Sequence, residues 1–165
     1  MSVITSLKTA IYIPEIPEEF LHKVRTTGLD AQNQPVKRYR LEGEPCRDVL
    51  RRSRPGEEII LASYCPFTQE GPFKEYGPIY LLAEPSSELV QRDVMPLKQP
   101  EPEPYLREQF VLRAYSYQEE IIDAALVRNV EAQDILDSFL SRDEVAFVDA
   151  RFPVYGCFAC RFRRA

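Results

Sequence analysis

The first apolar positions that repeat at helical spacing are Phe20, Leu21 and Val24, preceded by Pro17-Glu18-Glu19 and followed by Gly28. Proline and acids at the start and glycine just past the end frame a short amphipathic helix. From Val36 to Leu41 the pattern changes to alternation, which predicts an exposed strand. The turn Pro55-Gly56-Glu57 feeds Glu58 to Tyr64, a stretch apolar on both faces at its start, as a central strand is. Pro66 to Gly77 is a loop punctuated by Pro66, Gly71-Pro72 and Gly77, and Pro78 to Ala83 follows as a second buried strand. Prolines at 96, 100, 102 and 104, interleaved with charge, predict an extended, mobile loop over 96–104.

The last third is the most regular. Phe110 to Tyr115 and Ile121 to Leu126 read as a hairpin. Placing Arg113 opposite Asp123 aligns Phe110, Leu112 and Ala114 with Leu126, Ala124 and Ile122 on one apolar face. A helix is predicted from Val130 to Leu140, with Asn129 as its N-cap. Val145 to Ala150 and Gly156 to Phe162 alternate as two further strands. The expected fold is α+β: a single curved, mainly antiparallel β-sheet with two helices packed on one face.

Composition narrows the class. With 165 residues, 44% apolar and 28% charged, the chain reads as one globular domain. A net charge of −5 argues against a general nucleic-acid binder. The basic cluster Arg161, Arg163, Arg164 is read as a solvated strand end. No run of about 18 apolar residues is present, and the first residues lack a basic then apolar leader, so a cytoplasmic protein is expected. Four cysteines, at 46, 65, 157 and 160, are then expected to stay reduced.

Several fragments stand in a fixed order: Pro45-Cys46-Arg47, Pro55-Gly56-Glu57 with Tyr64, Gly71-Pro72-Phe73, Gly77-Pro78-Ile79-Tyr80, Leu112-Arg113-Ala114-Tyr115, Ile122-Asp123-Ala124, Val145-Ala146-Phe147 and Gly156-Cys157-Phe158. In this order they resemble the small bacterial family catalogued as domain of unknown function 1203. The resemblance runs from about Gly43 to the C-terminus. It implies a stand-alone bacterial protein of about this length and carries no activity. Where that family often shows histidine and asparagine after Val145-Ala146-Phe147, this chain has Asp149, Arg151 and Phe152.

Cys157-Phe158-Ala159-Cys160 has the spacing of redox and zinc sites, but strand alternation points the two thiols to opposite faces. A second C-x-x-C for zinc is missing, so buried unligated thiols are the expectation and no metal or cofactor is predicted. His22 is the single histidine and is read as a surface residue of the first helix, which leaves a Ser-His or Cys-His dyad little to work with. What remains is a polar set in apolar surroundings: Arg47, Tyr64, Arg113, Asp123 and Asp149, with Cys46 and Cys157 beside them. The set has two readings. These residues are internal salt bridges between strands, or they line a pocket for a small anionic or polar molecule, with Arg47 holding and Tyr64 orienting the anion. The functional expectation is a binding or interaction module. The alternatives are a small-molecule enzyme using Cys157 or Tyr64 with Arg47, and a thiol redox protein.

Overall fold

The computed structural model describes residues 8–99 and 102–165. In chain order the elements are β1 (Ile11–Tyr12), α1 (Glu18–Thr27), β2 (Lys37–Tyr39), β3 (Pro45–Cys46), β4 (Arg51–Arg52), β5 (Ile59–Tyr64), β6 (Gly77–Leu82), β7 (Gln109–Tyr115), β8 (Ile121–Arg128), α2 (Ala132–Leu140), β9 (Phe147–Arg151) and β10 (Phe158–Arg164).

Both expected helices form. In α1 the acids Glu18 and Glu19 sit in the first turn, where the helix dipole favours them, and Gly28 ends the helix at φ 69°, a left-handed geometry suited to glycine. Leu21 and Val24 pack against Ile60, Ala62, Ile79 and Leu81 of β5 and β6. α2 starts later than expected. Glu131, not Asn129, holds the N-cap place, and no side chain caps the helix. The Glu131 carboxylate instead accepts from the Arg128 amide.

The strands form two five-stranded sheets, which corrects the expectation of one. The first runs β1-β10-β9-β7-β8 and the second β2-β5-β6-β3-β4. Pairing is antiparallel except where β3 runs parallel to β6, with Cys46 opposite Tyr80. Alternation along a strand reports which face is buried, not which strand lies beside it, so the split was invisible in the pattern. In sequence the proline-rich segment separates β2–β6 from β7–β10, while β1 at the start of the chain joins the later group by pairing with β10. Residues 100 and 101 of that segment lie outside the described residues, but its flanks are packed: Met95, Pro96, Tyr105 and Leu106 are buried.

The β7–β8 register also differs from expectation. Arg113 lies opposite Ala124, and Asp123 opposite Ala114, one residue away from the predicted alignment. The shift buries Val127 fully against the core and leaves Leu126 60% exposed. An irregularity at Ala114/Tyr115 then brings Ile122 back against the core. Arg113 and Asp123 therefore face opposite sides of the sheet. Asp123 pairs with Arg142 at 2.7 Å, and Arg113 with Glu75 at 3.2 Å.

The main core lies on one face of the first sheet. Phe110, Leu112, Val148, Cys160 and Phe162 meet Leu136, Phe139 and Leu140 of α2 there. On the other face, Asp149 and Arg161 form a buried two-point ion pair at 2.7 and 3.0 Å beneath the 66–76 segment, whose Pro66 carbonyl also accepts from Arg161. Arg161 lies 3.6 Å from the Phe147 ring centroid. It is thus an internal anchor rather than the solvated strand end expected of it. Among the described residues no helix is long and apolar enough to cross a membrane.

Candidate functional site

β3 and β4 form a short hairpin that brings Arg47, Arg51 and Arg52 close together in sequence but into different surroundings. Arg51 and Arg52 are successive strand residues, so they point to opposite sides. Arg51 meets two carboxylates, Glu57 at 2.8 Å and Glu88 at 2.9 Å, whose hydrogen bonds raise its pKa against the effect of burial. Arg52 meets none. Its Nε, Nη1 and Nη2 donate to the carbonyls of Pro104, Gly43 and Tyr105 at 2.9–3.0 Å. Burial, with Arg107 nearby, holds this guanidinium below its ordinary value.

Arg47 is held the same way and is 2% exposed. Its Nε donates to the Phe158 carbonyl at 2.8 Å and its Nη1 to the Pro45 carbonyl at 2.7 Å. Its Nη2 lies 3.3 Å from Cys157 Sγ. Neither Arg47 nor Arg52 forms an ion pair among the described residues. Both lie near one ring: their guanidinium carbons sit 5.1 and 5.7 Å from the Phe152 centroid. Cation–π contact and carbonyl dipoles compensate a buried charge in part; a carboxylate would do so more fully.

The two arginines open on one cavity of about 520 Å³ at the junction of the sheets. Its floor is Leu61, Pro78 and Tyr80, on the face of β5 and β6 turned away from α1. The β3–β4 hairpin forms one wall, and the β9–β10 connection, with Phe152, Tyr155 and Cys157, forms the other. Glu44 is the acid among the lining residues, and Arg107 on the rim pairs with Glu103. Burial holds the Tyr80 hydroxyl above its ordinary value, which keeps it neutral.

Of the seven residues singled out from the sequence, Arg47 and Cys157 line this cavity and are in contact with each other. Tyr64 lies elsewhere, because it shares strand parity with Ile60 and Ala62. Its ring is 4.9 Å from Phe20 on the α1 side, and burial raises its hydroxyl to about 12. Cys46 is fully buried, with its thiol 3.6 Å from the Glu44 carbonyl. Asp149 is engaged by Arg161, Asp123 by Arg142, and Arg113 by Glu75, so none of these acids serves Arg47. Arg52, Phe152 and Tyr80 were not foreseen. The doublet Arg51-Arg52 was the available signal, since two neighbours on a strand cannot both find the same solvent.

Cys157 and Cys160 are free thiols in unlike places, the first half-buried at the cavity and the second buried in the main core. His22 is exposed on α1. No cluster of three or more His, Cys, Asp or Glu suited to a metal occurs among the described residues. Burial, aided by nearby Asp48 and Asp149, raises the thiols of Cys46 and Cys160 well above the ordinary 9.0. In the folded chain they stay protonated while the unfolded chain ionises. The stabilisation is therefore complete below about pH 9 and declines as pH rises, by up to about 1.4 kcal/mol per pH unit for each thiol. Urea midpoints should fall between about pH 8.5 and pH 10.5, and the double substitution Cys46→Ala/Cys160→Ala should flatten that fall. An unchanged slope in the double variant would assign the alkaline loss to other groups.

No curated protein and no solved structure matches the chain. A family model does match, over residues 43–164, a span that contains every residue lining the cavity and excludes α1 with His22. The chain belongs to the family described as protein of unknown function, DUF1203.

Proposed function

We propose that the chain is a binding module for a small anion, taken into the cavity between the β3–β4 hairpin and the β9–β10 connection. The observation that carries this reading is the pair of buried guanidiniums, Arg47 and Arg52, that share one cavity and have no carboxylate partner among the described residues. Removing a charge from water without an opposite charge costs several kcal/mol, and an anionic ligand at this place offsets that cost. A guanidinium also presents a planar fork that matches carboxylate or phosphate. The apolar floor of Leu61 and Pro78, with Tyr80 as a neutral hydroxyl, suits a ligand with an apolar body and one anionic end. The volume of about 520 Å³ lies within the ordinary range for small-molecule sites.

Thermal denaturation against a panel of carboxylates and phosphates tests this. At least one anion should raise Tm in a saturable way, by roughly 2.7 kcal/mol of stability at a hundredfold excess over Kd. The increment should vanish in Arg52→Met and shrink in Arg47→Lys, which keeps the charge but loses the fork. A wild-type Tm that responds to no anion beyond ionic strength overturns the reading.

A further inference from the structure

Cys157 is the one thiol that lines the cavity. Cys46 and Cys160 are buried in core clusters, and Cys65, although half-buried, turns its thiol to the Phe67 carbonyl at 3.5 Å. The turn after β9 places Cys157 just before β10, so its sulfur faces Arg47 across the cavity wall rather than entering the sheet. Arg47 Nη2 at 3.3 Å is a donor to sulfur, and the same guanidinium faces the space where the anion would sit. Phe152 lies beside both arginines, which leaves thiol, positive charge and apolar surface within one enclosure.

Resting on the anion-site reading above, we infer that Cys157 is a nucleophile directed at small electrophilic carboxylates. Arg52 and Arg47 hold the carboxylate, and the sulfur attacks an electrophilic carbon a bond or two away. The sulfur lone pair forms the new S–C bond. The leaving group departs with the electrons of the bond that breaks, and the thiol proton passes to water. No oxidant, metal or further reactant enters this balance. It follows that an anionic electrophile should react faster at Cys157 than a neutral one of the same size, the reverse of an ordinary exposed thiol.

Iodoacetate and iodoacetamide make that comparison directly: the new bond is S–CH2 and iodide leaves in both cases. Rates are read by peptide mass mapping at Cys157 and at Cys65 of the same molecules, with free cysteine as a second reference. The iodoacetate-to-iodoacetamide rate ratio at Cys157 should exceed the reference ratios by about tenfold or more, the scale on which a cleft of one charge concentrates counter-ions. In Arg52→Met, which leaves the Arg47–sulfur contact in place, the ratio should fall to the reference value. Should that variant fail to fold, excess acetate on the wild type must slow iodoacetate at Cys157 and not at Cys65. Equal ratios at Cys157 and the references overturn the inference. Where the ratios are equal but anions still raise Tm in the wild type and in Cys157→Ser, the nucleophile fails alone and the anion site stands. If anions neither raise Tm nor protect Cys157, the anion site fails with it.

Discussion

Replacing Asp149 by alanine is expected to destabilise the chain by about 3–5 kcal/mol, because it leaves the Arg161 guanidinium buried without its counter-charge. Asp149 is fully buried, and both of its oxygens accept from Arg161, at 2.7 and 3.0 Å. The remaining surroundings of Arg161 are not polar enough to take over: Phe147 and Phe67 flank it, and the Pro66 carbonyl accepts one bond. Removing both partners, as in Asp149→Ala/Arg161→Met, should restore much of the loss, since a buried pair roughly breaks even against apolar residues of similar volume. Urea unfolding of the two variants decides it. A single-variant loss below about 1 kcal/mol would mean that water reaches Arg161 after the substitution.

Tyr105→Ala should be as damaging, at about 3–5 kcal/mol, and should also abolish any response to anions. Tyr105 is fully buried in the main core, where its hydroxyl donates to the Ala159 carbonyl at 2.6 Å. Its backbone serves the site as well. The Tyr105 carbonyl accepts from Arg52 at 3.0 Å, its amide donates to the Gln99 side chain, and its ring lies edge-on to Phe152 at 5.8 Å. A cavity left by this ring loosens Arg52 and Phe152 together. Tyr105→Phe keeps the ring and strands one buried carbonyl, so its loss should stay near 1–3 kcal/mol with anion binding retained. Denaturant melts paired with anion-induced Tm shifts separate the two variants. An alanine variant that keeps its anion response would show that Arg52 is positioned by the hairpin alone.

The sequence alone determined the longer local elements, whereas the two-residue strands β1, β3 and β4 carried no pattern of their own. Amphipathic spacing at Phe20, Leu21 and Val24, closed by Gly28, specified α1, because burial of one stripe and a left-handed C-terminus are local requirements. The apolar runs at Ile59-Ile60 and Ile79 to Leu82 specified buried strands for the same reason. Arg47 and Cys157 were also legible as candidates, since a charge and a thiol in apolar surroundings stand out of any pattern. Their contact was not. They lie 110 positions apart, and only the junction of the two sheets brings Nη2 to sulfur. Tyr64 shows the opposite case. Its parity with Ile60 and Ala62 was already in the sequence, but the side of β5 that α1 covers was decided by tertiary packing. The same holds for Arg113 and Asp123. Two apolar alternations fit one another in more than one register, and the choice fell to Val127 entering the core and a bulge at Tyr115. Number of sheets, strand neighbours and ion-pair partners are all long-range quantities. Side-chain alternation constrains which face is buried, whereas the partner across that face is selected by the packing of the whole chain.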